Sequence, residues 1–469
     1  MMRRCNVMQV EKYIEEFNKK TRKSKEAYDR IKKHVAGGVE SNVRMIDPHP
    51  VYLTHGEGQF IFDIDGNKYY DLLCGMGSII HGHNPPEIRQ AVIDRVTKGG
   101  DVLGAPTEMI ETYAKNVKKA FPSMELVRFC SSGTEATMNL IRIARSYTGK
   151  EKIAKVEGSY HGGHDYVLHA LHLTEKYLDS DPNNPPCLPY GSGIPKYITE
   201  NLIKIIPFNN YEATAEILEK NADEVGTVIM EPVMGGGGVI PPKDDYLKKV
   251  RKLTEKLGMV LIFDEVLVGF RIAFGGGQER YDVKADLTAL SKIAGGGFQV
   301  ACLGGKKEIM EAILPRTQGT AAEVEAGMTS AVQVGTYNGH PTSLAAGIKS
   351  IEILSRPGTY EHLENISDQL FNGIRGQLAD KKIVGAVNNV GPLGCIYFDI
   401  EKADNWRATL ALNEEKWMKL FYGGLTKGVY FGIPHPDERF FLSTPFTEED
   451  IENVLKITDE LFDDIKKGD

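Results

Sequence analysis

The sequence predicts an α/β protein with a mostly parallel sheet in a large domain and a smaller α+β domain after it. Between about residues 85 and 310, short apolar runs rich in β-branched residues alternate with helical stretches. This alternation is typical of parallel strands covered by helices on both faces. After about residue 345 the pattern changes to helices mixed with a few strands.

A chain of 469 residues is too long for one ordinary core. The expected organisation is an N-terminal helical and hairpin segment, a large domain and a C-terminal small domain, at 1–80, 81–345 and 346–469. The candidate strands of the large domain are LVRFC, KIAKV, TVIMEP, VLIFDE, LTALSK and ACLGG. In such sheets ligands bind at the carboxyl ends of the strands.

The first 80 residues predict a charged helix over about 10–34 and then a hairpin around Asp65 and Gly66. The alternating acids of this hairpin also resemble a calcium loop. However, Lys68 stands where that loop requires glycine, and Cys74 replaces its final glutamate, so calcium binding is rejected.

The last helix is predicted from a capping box that pairs Thr447 with Asp450. Its expected buried face has helical spacing and comprises Ile451, Val454, Leu455, Phe462 and Ile465.

Composition excludes several classes of function. The net charge of −8 argues against general nucleic-acid binding, and no apolar run reaches the about 20 residues of a membrane span. The six cysteines form no CxxC pair, which indicates reduced thiols in a cytoplasmic enzyme.

Two residues carry the first chemical hypothesis. Asp264 ends the run LIFD, and Lys292 ends the run LTALSK just before three glycines. A lysine amine and an acidic partner are the groups that the aldehyde and ring nitrogen of pyridoxal phosphate (PLP) require. The pair therefore predicts a PLP site.

A phosphate site is predicted where the run LVRFC meets a helix. Gly133 and Thr134 stand at the start of that helix, where free N–H groups and the helix dipole favour an anion. An ordinary Ser/Thr helix cap without a ligand is the alternative. The turn lacks the lysine of a nucleotide P-loop, which disfavours ATP.

The segment GSYHGGHD allows two interpretations. Tyr160 or His161 could lay an aromatic face on a planar cofactor. Alternatively His161, His164 and Asp165 could bind a metal, but the spacing and the flanking glycines aim the imidazoles apart. No metal is predicted.

Six motifs follow one another along the chain: SSGTEAT, YHGGHD, EPV, FDEVLVGFR, SKIAGGG and GTYNGHPTSLAAG. With them the chain resembles the class-III aminotransferases of PLP fold type I from about Gly37 to its final helix, and within them most closely the glutamate-1-semialdehyde 2,1-aminomutases. The resemblance implies a cytoplasmic homodimer with shared active sites and small-molecule substrates.

The resemblance also implies roles for residues of the cofactor site. Lys292 is the Schiff-base lysine and Asp264 the partner of the pyridine nitrogen. The others contact the ring faces (Tyr160, Val266), the phosphate (Gly133, Thr134, and Thr336 from the partner subunit) and the ring hydroxyl or substrate (Glu231).

On the substrate side the resemblance implies Arg44, Asn209, Glu438 and Met76. Arg44 would grip a carboxylate, although a surface salt bridge is its alternative role. Arg439, next to Glu438, could instead serve as the carboxylate switch of an ω-aminotransferase.

Four features depart from the aminomutase pattern. They are Met76 in place of an aromatic residue, the glycine run after EPV, and the longer segments 179–195 and 306–335. The first expectation is therefore an aminotransferase that moves an amino group between a carboxylate-bearing donor and an oxo acceptor. The alternatives are the aminomutase, and after it a decarboxylase or epimerase.

Overall fold

The structure is a computed structural model, and it describes residues 8–99, 103–171, 175–314, 330–434 and 438–467. It divides into two compact units. The seven-stranded unit comprises Glu87–Pro357 with Asp404–Arg407, and the two-sheet unit comprises the described residues of Met1–Pro86, Gly358–Ala403 and Ala408–Asp469. The three-part division expected from the sequence stays a prediction.

The strands are named in chain order. They are β1 (Leu53–Glu57), β2 (Phe60–Asp63), β3 (Lys68–Asp71), β4 (Leu126–Cys130), β5 (Lys152–Val156), β6 (Ile203–Ile206), β7 (Val225–Met230), β8 (Val260–Asp264), β9 (Leu287–Leu290), β10 (Ala301–Gly305), β11 (Gly385–Val390), β12 (Leu393–Phe398), β13 (Val429–Tyr430) and β14 (Phe440–Phe441).

Helices connect and cover these strands. The α-helices are Met8–Lys20, Arg22–Ile31, Pro86–Gly99, Met109–Ala120, Gly133–Thr148, Glu175–Leu178, Lys196–Asn201, Tyr211–Lys220, Tyr246–Lys256, Gly276–Tyr281, Lys307–Met310, Pro341–Leu354, Thr359–Lys381, Glu414–Lys427 and Glu448–Lys466. Short 3₁₀ turns lie at Ala36–Gly38, Asn42–Arg44, Lys292–Gly295, Glu311–Ile313 and Arg407–Ala411. Each helix within the described residues is too short or too polar to traverse a bilayer.

The large sheet has the order β4-β10-β9-β8-β7-β5-β6. Strands β9, β8, β7, β5 and β6 pair in parallel, whereas β10 is antiparallel to both β9 and β4. Six strands therefore run in one direction, and their carboxyl ends lie along one edge. The predicted α/β class is confirmed, and the six sequence-predicted strands all form, while β6 was missed.

The middle of this sheet is apolar on both faces. Every residue of β7 and of β8 is buried, as expected for parallel strands that are covered on both sides. The helix Gly133–Thr148 contributes Leu140, Ile143 and Ala144 to the same core. Burial of this continuous apolar surface fixes the positions of the strand ends.

The two-sheet unit holds the sheet β1-β2-β3-β13 and the sheet β11-β12-β14. Strands β2 and β3 are antiparallel, which confirms the hairpin around Asp65 and Gly66. The predicted N-terminal helix is two helices, because Thr21 separates Met8–Lys20 from Arg22–Ile31.

The last helix begins as the sequence predicts. Thr447 and Asp450 form a reciprocal capping box, in which the Thr447 hydroxyl accepts the Asp450 N–H and the Asp450 carboxylate accepts the Thr447 N–H. Ile451, Val454, Phe462 and Ile465 are buried along the expected face, whereas Leu455 is only half-buried.

A left-handed turn follows β3. Cys74, Gly75, Met76 and Gly77 have φ angles of 47°, 59°, 58° and 79°. Two of these residues have side chains, and the left-handed region costs about 1–2 kcal/mol for such residues. Asp71 supports the turn, since its Oδ1 accepts the N–H groups of Leu73 and Cys74.

Candidate active site

Asp264 and Lys292 lie at the carboxyl edge of neighbouring strands. Asp264, the last residue of β8, pairs with Ala289 of β9, and Lys292 follows two residues after the end of β9. Parallel neighbours lie about 5 Å apart. Lys292 is half-buried and has a φ of 51°. Strained backbone of this kind concentrates at functional sites.

The Asp264 carboxylate is buried and held on both oxygens. Oδ1 accepts the Val266 N–H at 3.0 Å, and Oδ2 lies 2.9 Å from Nδ1 of His161. An ionised carboxylate only accepts hydrogen bonds, so Nδ1 of His161 donates. Burial lowers the pKa of His161, although the neighbouring Asp264 opposes this effect. The His161 imidazole thus orients the Asp264 carboxylate.

Sequence reasoning missed this role of His161. It treated the residue as a possible aromatic face or metal ligand, whereas the imidazole meets Asp264 through its edge. The carbonyl of His161 also accepts the Thr137 hydroxyl at 2.6 Å, which ties it to the helix Gly133–Thr148. Among the described residues, no group of His, Cys, Asp and Glu side chains could hold a metal ion.

The predicted phosphate turn begins a 16-residue helix. Ser132 caps it by accepting the Glu135 N–H, and the Glu135 carboxylate accepts the N–H groups of Ser131 and Ser132. Gly133 and Thr134 occupy the first helical positions, whose N–H groups have no intrahelical acceptor. The turn is therefore both a capped helix start and a suitable position for an anion.

Val266 and Tyr160 follow the ends of β8 and β5. Val266 packs against Gly133 so closely that a Cβ on Gly133 would lie 3.0 Å from both Val266 methyl groups. The Tyr160 side chain is 50% exposed. Burial, together with the charge of Asp264, raises the pKa of the Tyr160 phenol. Both side chains thus lie near the buried carboxylate.

Glu231 is buried at the end of β7, where three N–H groups bind its carboxylate. Oε1 accepts Tyr160 N–H at 3.1 Å and Gly236 N–H at 3.2 Å, and Oε2 accepts Gly235 N–H at 2.9 Å. Burial and the charge of Asp264 raise the pKa of Glu231 to about 7, against the effect of these bonds. Glu231 therefore joins the Tyr160 turn to the glycine run.

Asn209 has φ of 62° after β6, and its amide is engaged with the main chain. Nδ2 donates to the carbonyls of Pro241 and Asp404, and Oδ1 accepts the Lys243 N–H. The amide therefore has a clear structural function in joining two loops. Its expected proximity to a substrate stays a prediction.

Three substrate candidates belong to the two-sheet unit. Arg44 is exposed and pairs with Glu40 at 2.9 Å. Met76 is half-buried on the left-handed turn, while Glu438 is 2% exposed. The proposed surface salt bridge of Arg44 therefore forms.

Tyr430 connects two of these candidates and was missed by sequence reasoning. Burial, with the charges of Asp71 and Glu438, raises the pKa of its phenol, and the charge of Arg44 opposes that rise. Arg44, Asp71 and Glu438 thus act on one buried hydroxyl. The spread of these residues over β3, β13 and two loops left no common sequence motif.

Thr336 lies in an exposed segment of the seven-stranded unit, together with the exposed Val332, Val334 and Tyr337. Much of the longer segment 306–335 lies outside the described residues, as 315–329 are not described. The loop 179–195 is described, and its Leu188 carbonyl accepts the Ala170 N–H.

The family model for aminotransferase class-III matches residues 42–462. The chain belongs to the class-III aminotransferases. A curated relative, glutamate-1-semialdehyde 2,1-aminomutase of Archaeoglobus fulgidus, is 40% identical over 438 residues, covering 93% of this chain and 99% of the relative.

Solved structures agree with the class-III fold. An omega-transaminase from Sphaerobacter thermophilus has a TM-score of 0.85 at 29% identity, covering 94% of this chain and 97% of that chain. A glutamate-1-semialdehyde-aminomutase from Pseudomonas aeruginosa PAO1 in complex with PMP has a TM-score of 0.88 at 21% identity, covering 98% of each chain. The protein is an enzyme with PLP fold type I.

Class-III aminotransferases use pyridoxal 5'-phosphate, and the residues of this chain fit it. One strand edge combines a half-buried lysine amine, a buried carboxylate and the N-terminus of a long helix. These are the groups that the aldehyde, ring nitrogen and phosphate of the cofactor require. A side chain at Gly133 would force Val266 to shift, because its Cβ would lie 3.0 Å from both Val266 methyl groups.

Proposed function

We propose that this enzyme is a glutamate-1-semialdehyde 2,1-aminomutase, which moves an amino group between two carbons of one molecule. The observation that carries the proposal is the 40% identity to the named aminomutase over nearly the whole length of both chains. The proposal reverses the order expected from the sequence, where transfer between two molecules came first.

The cofactor residues are assigned to the groups that they can bind. Lys292 holds the aldehyde, Asp264 the ring nitrogen, and the first turn at Gly133 and Thr134 the phosphate. Tyr160 and Val266 cover the ring faces. When bound, pyridoxal phosphate supplies an electron sink for the carbon that bears the amino group.

Three side chains of the protein are assigned to holding or moving protons next to the bound cofactor. The Asp264 carboxylate, fixed by Val266 and His161, stabilises a proton at the ring nitrogen. The Lys292 amine would act as the general base and acid that takes a proton from one substrate carbon and returns it to another. Glu231, whose pKa is raised to about 7, presents an acidic group to the ring hydroxyl or the substrate.

Substrate binding is assigned to Arg44, Met76, Asn209 and Glu438. A guanidinium binds a carboxylate through paired, charge-assisted hydrogen bonds. In this structure the Arg44 guanidinium already forms an ion pair with the Glu40 carboxylate. A substrate carboxylate would therefore replace an internal one, which makes Glu40 a competitor for the same site.

A homodimer with shared active sites is part of the proposal. Val332, Val334 and Tyr337 expose 57%, 81% and 60% of their surfaces within one short segment. Apolar exposure of this density is typical of interfaces. In a dimer, Thr336 of this segment would contact the phosphate bound by the other subunit. Sedimentation of the holoenzyme as a monomer would contradict this part.

The experiment that tests the reaction supplies glutamate-1-semialdehyde to the purified holoenzyme without a second substrate. We expect stoichiometric conversion to 5-aminolevulinate, because donor and acceptor carbons lie on one molecule. Turnover that requires an added 2-oxo acid would refute the aminomutase and establish an ordinary aminotransferase.

An ω-aminotransferase is the second candidate. It is supported by the 29% identity and the TM-score of 0.85 to the Sphaerobacter thermophilus omega-transaminase. Met76 favours it as well, since a flexible thioether adapts to varied apolar groups. Met76→Trp is expected to reduce turnover of ω-amino donors if this candidate is correct, and to leave an aminomutase active.

A further inference from the structure

Four residues of the C-terminal part of the chain belong to the seven-stranded unit. Asp404–Arg407 groups with Glu87–Pro357, although the residues on either side of it belong to the other unit. We call Asp404–Arg407 the inserted segment. Its first contacts are polar, since Asp404 Oδ2 lies 2.7 Å from the Lys243 ammonium and the Asp404 carbonyl accepts the Asn209 amide.

Trp406 of the inserted segment is 3% exposed and packs against two glycines. A Cβ on Gly158 or on Gly237 would lie only 2.4 Å from atoms of the indole. The indole also meets the Tyr177 ring edge-on, with centroids 5.6 Å apart. Any other residue at Gly158 would displace the indole, so the ring and the two glycines form one close-packed contact.

Arg407 anchors the other end of the inserted segment. Its Nε donates to Glu157 Oε2 at 3.1 Å, and Nη1 and Nη2 donate to the carbonyl and the hydroxyl of Ser180. The guanidinium carbon lies 4.8 Å from the centroid of the Tyr177 ring. Glu157 is buried, and it also accepts the Tyr177 hydroxyl. This buried ion pair is thus hydrogen-bonded from several sides.

These contacts converge on the turn that carries Tyr160. Glu157 and Gly158 precede Tyr160 in the chain, and Gly158 has φ of 77°. The glycine run also packs closely against this turn, because a Cβ on Gly236 would lie 2.5 Å from the Tyr160 nitrogen. The Tyr160 N–H is bound by Glu231. The turn, the inserted segment and the glycine run therefore form one close-packed group.

We propose that Trp406 and Arg407 are positioning residues, which fix the Glu157–Tyr160 turn and so orient Tyr160 over the ring of the cofactor. Tyr160 itself is half exposed, and its N–H is bound to Glu231. Its direction is consequently set by the main chain beneath it. The inference rests on the proposed cofactor role of Tyr160, and it does not depend on whether the substrate reaction is aminomutase or aminotransferase.

A double-mutant cycle on cofactor binding tests this inference. Apo-protein is titrated with pyridoxal phosphate, and affinity and visible circular dichroism are recorded for Trp406→Leu, Tyr160→Leu and the double variant. We expect each single variant to bind the cofactor roughly tenfold more weakly, and the double variant to be no weaker than Tyr160→Leu alone. Trp406→Phe should restore most of the affinity, because a planar ring still packs on the glycines.

Additive losses in the double variant would overturn the inference, since Trp406 would then act independently of Tyr160. Trp417, the other tryptophan of the chain, is 1% exposed in the two-sheet unit. Trp417→Leu is the matched control and is expected to lower the melting temperature without changing cofactor affinity.

Arg407→Lys gives a second test should Trp406→Leu fail to fold. A lysine keeps a positive charge beside Glu157 but cannot bind Ser180 through a fork of donors. We expect Arg407→Lys to lower cofactor affinity roughly three- to tenfold when Tyr160 is present. In the Tyr160→Leu background the same substitution should cause no loss. Unchanged affinity in the folded Arg407→Lys protein would overturn the inference. If Tyr160→Leu alone leaves affinity and dichroism unchanged, the proposed role of Tyr160 fails first.

Discussion

The cofactor edge of the seven-stranded unit and the substrate candidates of the two-sheet unit are built differently. At the cofactor edge, Asp264 and Glu231 are buried and bound by main-chain N–H groups and a buried histidine. In the two-sheet unit, Arg44 is 50% exposed and pairs with Glu40 four residues away, and Met76 lies on a strained turn. One region is fixed by the sheet, and the other by loops.

This difference suggests a separate structural basis for cofactor binding and for substrate specificity. Groups attached to buried parallel strands keep their positions whatever the substrate is, so they suit a cofactor that all members of the family share. Side chains on exposed loops adjust with small sequence changes. The predictions below test this contrast, and they run from the largest expected effect to the smallest.

Lys292→Ala should abolish covalent cofactor binding and lower turnover by at least about 10³-fold, because the amine both binds the aldehyde and moves the proton. The visible absorbance of the purified protein measures the first effect. Lys284→Ala, which removes an exposed lysine before β9, is the control. A yellow, active Lys292→Ala protein would contradict the assignment.

Asp264→Asn should retain the cofactor but reduce turnover by roughly 10²–10³-fold, since a neutral amide cannot stabilise a proton at the ring nitrogen. Steady-state rates and cofactor content are measured together. The control is Asp286→Asn at the amino end of β9, where Asp286 pairs with Arg251 and Lys306. That variant should lose stability and keep its turnover per bound cofactor. Equal turnover of Asp264→Asn and the native enzyme would remove Asp264 from the mechanism.

Arg44→Ala should raise the KM for a carboxylate substrate by about 10- to 100-fold, as expected for the loss of charge-assisted hydrogen bonds. Cofactor affinity should not change. Glu40→Gln is the informative companion, because it removes the competing carboxylate and is expected to lower the same KM by a few fold. If both variants raise KM equally, the pair acts as a structural unit and the proposed competition is wrong.

Glu231→Gln should alter how stability depends on pH. Burial raises the pKa of Glu231 from 4.5 to about 7, so the folded state keeps a proton that the unfolded state releases in this range. The contribution of Glu231 to stability is therefore complete below pH 4.5, falls as the pH rises and levels off above about 7.

The variant has no such proton, so its stability curve between these pH values should be flatter by up to ~1.4 kcal/mol per pH unit. Urea unfolding of both apo-proteins at several pH values measures the slopes. Parallel curves would show that Glu231 titrates at its ordinary pKa.

Much of the fold could be predicted from the sequence. Strands β7 and β8 are rich in β-branched and other apolar residues, because every residue in them is buried in a parallel sheet that is covered on both faces. The capping box of Thr447 and Asp450 is a local interaction, so its residues lie together in the chain. Strand β6 was missed because its run, IKII, is only four residues long.

The sequence by itself determined which residues lie at the cofactor edge of the large sheet. A strand that ends in Asp264, a strand that leads to Lys292 and a helix that starts at Gly133 must meet at one side of a parallel sheet. The tertiary structure alone decided what holds these groups. His161 meets Asp264 across 103 residues, and Arg407 meets Glu157 across 250. Such contacts leave no periodic or local pattern, since they depend on how distant segments pack, and this is the physical reason why sequence reasoning missed them.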